Sequence, residues 1–214
     1  MVNSKIKTLI AATSNVTLVA ATKYVDSKTM LELLKEGINN FGENRVDSFL
    51  TKYQELKSHE EIVWHFIGTL QSNKVSKIIN KIDYLHSLNS LRLAIYIDKY
   101  RLKPLKCYLE INITNNPNKK GILPTEAQSF LLAIKTLPNV MVIGLMAMTD
   151  KEMTDNEKYQ AFLKLKNLRD ELFNAGFTNV KELSMGMSDD YELAIKAQAT
   201  TIRLGRILFE TEGV

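Results

Sequence analysis

Lys23 closes an apolar run, Leu18-Val19-Ala20-Ala21-Thr22-Lys23. If that run is a strand, Lys23 alternates in step with Val19 and Ala21 and stands at the strand's end. Partial desolvation there disfavours the ammonium form and leaves an amine able to attack a carbonyl. Taken alone, the position reads more simply as a lysine reaching back to solvent. Arg203 is the second unusual residue. In Thr201-Ile202-Arg203-Leu204-Gly205-Arg206 a guanidinium interrupts an apolar strand, on the face it shares with Thr201. A buried guanidinium needs an acceptor, either a structural carboxylate or a ligand atom.

Ser184-Met185-Gly186-Met187-Ser188 runs from a strand into a helix that Ser188 is placed to cap. Gly186 and Gly205 would let backbone N–H groups come close to an anion. Asp189 and Asp190 suit the same helix start, but they repel a phosphate unless they are turned away. Asn44, in Phe41-Gly42-Glu43-Asn44-Arg45, offers an amide next to a further strand end, in a stretch that is equally ordinary as a helix start. His65, in Trp64-His65-Phe66-Ile67-Gly68, reads as a buried, hydrogen-bonded histidine. Asn118-Lys119-Lys120-Gly121 is a basic loop that offers a second amine or a phosphate contact.

Several other chemistries are excluded. Gly37 and Gly42 have the spacing of a phosphate-binding loop, but Glu43 stands where that loop needs lysine. No glycine-rich dinucleotide fingerprint follows the first strand, and no nucleophile elbow is present. His59, His65 and His86 lack metal-ligand spacing with carboxylates, so no metal is expected.

The elements that must position these residues come from alternation. Short β-branched runs at Val16–Thr22, Asn39–Gly42, Val63–Ile67, Tyr84–Leu88, Lys106–Ile113, Val140–Met148, Glu182–Met185 and Thr201–Leu204 alternate with amphipathic stretches. The helical stretches begin near Ser27, Glu43, Ser72, Leu91, Pro124, Asn156 and Ser188, and a last short helix is expected from Ile207 to Thr211. Eight βα units in 214 residues predict an α/β chain, a single (β/α)8 TIM-type barrel over residues 1–214. An open doubly wound sheet is the alternative. In such a barrel function sits where the strands end. There Lys23, Arg203 and the two glycine turns form the set needed by an aldehyde that carries a phosphate and is held as a Schiff base. Pyridoxal 5′-phosphate (PLP) is such a compound.

Composition agrees with a globular chain: 45% hydrophobic, 24% charged, net charge +4 and one cysteine, Cys107. The cysteine count excludes a disulfide framework and points to a reducing compartment. The mild positive charge is interspersed with acidic residues, so nucleic acid is not expected as a partner. The longest uncharged apolar run, Val140 to Met148, is far short of the roughly 20 residues of a bilayer span, and no membrane association is expected. Leu9-Ile10-Ala11-Ala12 after Lys5 and Lys7 imitates a signal peptide, and Thr13-Ser14-Asn15 interrupts it.

Read together, these stretches resemble the pyridoxal phosphate homeostasis family, also called the YggS or PROSC family. The matching segments also include Leu70-Gln71-Ser72-Asn73-Lys74, Gly144-Leu145-Met146-Ala147-Met148 and Leu183 to Asp190, in the family's order along nearly the whole chain. The resemblance implies a barrel like the N-terminal domain of alanine racemases. It implies that Lys23 carries PLP as a Schiff base, that Arg203 faces the pyridine nitrogen, and that Asn44 lines the ring pocket. Ser188 with the backbone at Gly205 and Arg206 would hold the phosphate. No catalytic reaction is established for the family. The expectation is therefore a cytoplasmic, monomeric PLP carrier with no catalytic residue, whose partners are PLP and PLP-dependent apo-enzymes. The alternative is a PLP-dependent amino-acid racemase. Racemases of the related fold draw a tyrosine from a second β-domain that this chain is not expected to carry; Tyr24 and Tyr191 are the candidate substitutes. Two departures stand out: Arg206 occupies a position where threonine is common, and Tyr24-Val25 replaces a second lysine after Lys23.

Overall fold

The computed structural model describes residues 2, 3, 6–114 and 116–209. Eight parallel strands close into a barrel in chain order, β1 to β8, and β8 returns to β1. The strands are β1 (Thr17–Ala21), β2 (Asn40–Glu43), β3 (Val63–Phe66), β4 (Tyr84–Leu88), β5 (Leu105–Glu110), β6 (Val140–Met146), β7 (Glu182–Ser184) and β8 (Thr201–Leu204). The helices are α1 (Ile6–Ala12), α2 (Ser27–Lys35), α3 (Val46–Leu56), α4 (Val75–Ile78), α5 (Leu91–Tyr100), α6 (Ala127–Ala133), α7 (Asp155–Asn174) and α8 (Tyr191–Lys196). The expected barrel is therefore the observed one.

Local chemistry fixes the helix starts. Asp26 accepts the Thr29 N–H at 2.9 Å ahead of α2, and Thr154 and Glu157 form a reciprocal cap on α7. Between strands and helices lies an apolar layer whose largest fully buried side chains are Phe41, Phe49, Phe66 and Phe162. Burial of this kind supplies most of the stabilisation.

The register decides which residues enter the barrel. Val19 pairs with Arg203, Ala21 with Gly42, Gly42 with His65, and His65 with Tyr84. Successive side chains alternate between faces, so one inward set contains Val19, Ala21, His65, His86, Ser184, Thr201 and Arg203. The barrel interior is consequently polar.

Several boundaries differ from expectation. Helix α1, in the stretch that imitates a signal peptide, packs Ile6 into the core. The second strand runs on through Glu43, and α3 starts only at Val46. The helix expected from Ser72 is a 3-10 turn, Ser72–Lys74, followed by the single turn of α4. The one expected from Ser188 begins three residues later, because Asp190 is the residue before α8. The last short helix is a 3-10 turn, Arg206–Leu208; Phe209 then pairs antiparallel with Val2, and the rest of that expected helix lies outside the described residues. Asn3 clasps the same segment, its backbone N–H donating to Leu208 at 2.9 Å and its side chain to Ile207 at 3.0 Å. Among the described residues no helix is long and apolar enough to cross a membrane.

Candidate functional site

The six expected site residues lie on four segments at the C-terminal side of the barrel: Lys23 after β1, Asn44 after β2, Ser188 in the turn after β7, and Arg203, Gly205 and Arg206 on β8 and the turn that follows it. Lys23 follows β1 on the inward parity and is exposed. Its ammonium lies over the Tyr24 ring, 4.8 Å from the centroid. The partial desolvation expected at this lysine is therefore not supplied by the protein. Asn44 follows β2, half-buried, with its backbone packed against Gly68; a Cβ on that glycine would lie 2.1 Å from the Asn44 carbonyl oxygen.

Behind Lys23 is a cluster the sequence did not reveal. Glu43 is fully buried and meets Lys52 at 2.6 Å. The hydroxyls of Thr22 and Ser48 donate to the same carboxylate at 2.6 and 3.1 Å. Lys52 also donates to the Thr22 carbonyl at 2.7 Å, which fixes the peptide that leads into Lys23. Both oxygens of the buried carboxylate thus have partners, as a buried charge requires.

The turns after β7 and β8 form the second wall. Gly186 has φ +89, and a Cβ there would lie 2.6 Å from Ala194 Cβ, so only glycine fits. Its carbonyl accepts the Arg203 N–H at 3.0 Å. The Ser188 hydroxyl accepts the Gly205 N–H at a long 3.3 Å, which ties the two turns together and leaves the hydroxyl proton for another acceptor. A Cβ on Gly205 would meet only Ala21, at 3.6 Å. Nothing in the packing demands glycine there; the missing side chain leaves room above Ala21. Both aspartates are turned away. Asp190 accepts from the Met187 N–H at 2.7 Å and the Thr149 hydroxyl at 2.6 Å, while Asp189 pairs with Arg206 at the surface. The Arg206 side chain is thereby engaged at the surface. Ser188 lies in a turn two residues ahead of Asp190, the residue before α8, and Gly205 precedes the 3-10 turn Arg206–Leu208.

Arg203 is buried, and its acceptors are neutral. Nη1 donates to the carbonyl and hydroxyl oxygens of Ser184, at 2.8 and 2.5 Å, and Nη2 to the Ala147 carbonyl at 3.1 Å. Among the described residues no carboxylate pairs with it. Burial lowers its pKa to about 10, and the more distant Asp190 and Glu110 oppose that shift. Three of its five N–H groups are satisfied; Nε–H and one Nη2–H have no protein acceptor among the described residues.

The interior chain continues from Ser184. His86 Nδ1 lies 2.8 Å from the Ser184 hydroxyl, His86 Nε2 lies 2.9 Å from His65 Nδ1, and His65 Nε2 lies 2.9 Å from Asn40 Oδ1. His65 was expected to be buried and hydrogen-bonded, and it is. Burial, helped by Lys106, lowers its pKa to about 3, and burial with the charge of Arg203 holds His86 well below the usual histidine value.

The other expected contributors are placed differently. Lys119 is taken by Asp150 at 2.6 Å and the Met148 carbonyl at 3.0 Å, while Lys120 stays exposed. Tyr191 lines a hollow on the outside with Thr8 and Leu9 of α1, and its hydroxyl donates to Glu192. No group of three or more metal-ligating side chains occurs among the described residues. A cavity of about 310 Å³ opens at the opposite face, between Thr17, Tyr84, Lys106 and Glu182, and none of the six site residues lines it.

Residues 3–212 match the family model for the N-terminal domain of alanine racemase. A pyridoxal phosphate homeostasis protein of Aquifex aeolicus is 37% identical over 195 residues, covering 90% of this chain and 85% of its own. Another, from Synechocystis sp., is 36% identical over 198 residues, with 91% of each chain covered. PipY of Synechococcus elongatus, solved without PLP, superposes with a TM-score of 0.91 at 31% identity over 97% of this chain and 100% of that one. The same protein with PLP bound gives 0.88 at 31% identity, covering 96% and 100%. The alanine racemase of Clostridium difficile 630 is similar in fold alone, with a TM-score of 0.77 at 14% identity; this chain spans 58% of it.

Proposed function

The chain belongs to the pyridoxal phosphate homeostasis protein family, and from that premise we propose that its barrel mouth holds PLP and that the protein stores and releases this cofactor rather than turning over a substrate. The observation that carries the reading is Arg203: a buried guanidinium with no carboxylate in contact among the described residues and with N–H groups left over. Such donors need an acceptor, and the pyridine nitrogen of PLP can serve as one.

The residues at the mouth fit the group. The Ser188 hydroxyl and the backbone N–H groups of the turn at Gly205 and Arg206 suit a phosphate, in the room that Gly205 leaves above Ala21. Asn44 borders the ring. When bound, PLP supplies an aldehyde that links covalently to an amine, with loss of water, and a ring that withdraws electrons. Lys23 is the amine, standing over the mouth on the inward parity of β1. Arg203 stays charged and can only donate, so it keeps a proton off the ring nitrogen and leaves the ring a weak electron sink. That disfavours catalysis. On this reading the recipients are PLP-dependent apo-enzymes, and the working form is a monomer in the cytoplasm, a reducing compartment in which the buried thiol of Cys107 stays reduced.

The competing reading is an amino-acid racemase. Tyr24 is the tyrosine beside Lys23, and at 83% exposed it lacks the fixed orientation that a catalytic acid needs. The test has two arms. Borohydride reduction of the PLP-loaded protein followed by peptide mapping should recover the label on Lys23. Incubation with alanine in deuterated water should give no exchange at the α-carbon at enzyme-like rates; rapid exchange overturns the carrier and favours the racemase.

A further inference from the structure

We propose that Ser184 and His86 are positioning residues for Arg203, the last links of an end-stopped hydrogen-bond chain that fixes which guanidinium N–H is presented to the mouth. The inference rests on the PLP reading only for the target of Arg203; the chain itself is a property of the protein.

The hydrogens can be assigned from the Asn40 end. Asn40 Nδ2 donates to Asn39 Oδ1 at 2.9 Å, which orients the amide so that Asn40 Oδ1 faces His65. An amide oxygen only accepts, so His65 carries its hydrogen on Nε2 and, being neutral, accepts at Nδ1. His86 Nε2 faces that acceptor and therefore carries the second hydrogen, and His86 Nδ1 accepts from the Ser184 hydroxyl. From the other end, Arg203 can only donate. Ser184 Oγ therefore receives Nη1–H, which is compatible with its own hydrogen pointing to His86. The polarity set from Asn40 thus runs through to the guanidinium, with every hydrogen pointing from Arg203 towards Asn40. A second proton on His65 would set two N–H groups against each other at 2.9 Å, and one on His86 would face the Ser184 hydroxyl at 2.8 Å and turn its hydrogen away.

This chain does not conduct protons. Arg203 at one end does not release one, and the amide oxygen of Asn40 at the other does not take one up at neutral pH. What it delivers is a lone pair of Ser184 at a fixed place. The ring of His86 is itself held by Tyr108, whose centroid lies 4.4 Å away, and that of His65 by Tyr84 at 4.5 Å. Two bonds from Nη1 to Ser184 and one from Nη2 to Ala147 then prevent rotation of the guanidinium, which leaves Nε–H and one Nη2–H as donors with fixed directions.

Two measurements test the inference. Nitrogen-15 spectra of the ligand-free wild type should show His65 and His86 as neutral Nε2–H rings that do not titrate between about pH 5 and 8. An Nδ1–H ring or a titrating ring at either position overturns the chain, whatever the protein binds. The second measurement uses PLP labelled with nitrogen-15 in its ring. Ser184→Ala and His86→Leu should move the ring-nitrogen signal towards that of free PLP, while affinity falls only about three- to tenfold, since one hydrogen bond is involved. His86→Asn keeps an acceptor for the Ser184 hydroxyl and should restore the wild-type signal. An unmoved signal in both disrupting variants, or no rescue by asparagine, overturns the positioning role. Failure of the wild type to bind PLP refutes the PLP reading instead and leaves the first measurement standing.

Discussion

Glu43 and Lys52 form a buried ion pair, 2.6 Å apart, and Lys52 is at the same time the donor that holds the Thr22 carbonyl. The pair therefore links the end of β2 and helix α3 to the backbone that presents Lys23. Removing one partner leaves an uncompensated buried charge, which costs about 3–5 kcal/mol. Lys52→Met and Glu43→Gln should each lower the urea midpoint strongly. The double variant should recover part of the loss, because no unpaired charge remains. Additive losses in the double variant would show that the two side chains act independently.

Lys23→Ala should abolish the covalent linkage to PLP and the visible absorption that accompanies it. The far-ultraviolet circular dichroism should not change, because the side chain is exposed and lies over the exposed ring of Tyr24. If the absorption survives, another amine is the acceptor, and Lys120 is the first to map.

The two glycine turns should separate stability from binding. Gly186→Ala forces a Cβ to 2.6 Å from Ala194 at φ +89, so it should destabilise by about 1–3 kcal/mol. Gly205→Ala meets only Ala21 at 3.6 Å, so thermal unfolding should hardly move while PLP affinity drops. Pyridoxal without its phosphate should bind more weakly than PLP, each lost charge-assisted contact costing on the order of 1.5–3 kcal/mol. Equal affinity for the two compounds would place the phosphate outside this cradle.

The buried histidines set a pH dependence. His65 has its pKa lowered to about 3 and His86 lies well below its usual value, so both are neutral in the fold and charge on unfolding below about pH 6.5. The unfolded chain then binds more protons, and stability should fall as pH drops from about 6.5 to 5. The slope should approach about 1.4 kcal/mol per pH unit for each histidine. Glu110, whose pKa burial raises, works in the opposite direction. Comparing urea unfolding of the wild type with that of His86→Leu at each pH isolates the histidine contribution; identical slopes would show that His86 is not a neutral buried ring.

Local signals made the barrel legible. Most strands are short β-branched or apolar runs, and α2, α5 and α7 carry a cap or a Gly stop, whereas β2 (Asn40-Phe41-Gly42-Glu43) and α3 carry neither signal. Lys23, Arg203 and the glycine turns were legible for the same reason, since each breaks a local rule, a charge in an apolar strand or a glycine at a strand end. The residues that hold them were not. Glu43 reads locally as a helix start; its partner Lys52 is nine positions on, across the turn from β2 to α3. His86 and Ser184 are 98 positions apart, and no spacing rule joins them. Asp190 rather than Ser188 precedes α8, because its carboxylate is drawn to Met187 and Thr149, and Thr149 is 41 positions away. Only closure of the barrel brings such pairs together.

That closure has an order in time when the chain is synthesised from its N-terminus. β1 emerges early, yet its second neighbour is β8, through pairs from Thr17↔Thr201 to Ala20↔Leu204. The clasp of Asn3 on Ile207 and Leu208 also needs both extremes of the described chain. Lys23 is thus on a nascent chain long before the turn at Gly205 or the guanidinium of Arg203 can join it. A ribosome-bound fragment that stops short of β8 presents an ordinary amine to the cytosol. Completion of the barrel and completion of the mouth are one event, so under the proposed function the capacity to retain the aldehyde is an attribute of finished molecules alone.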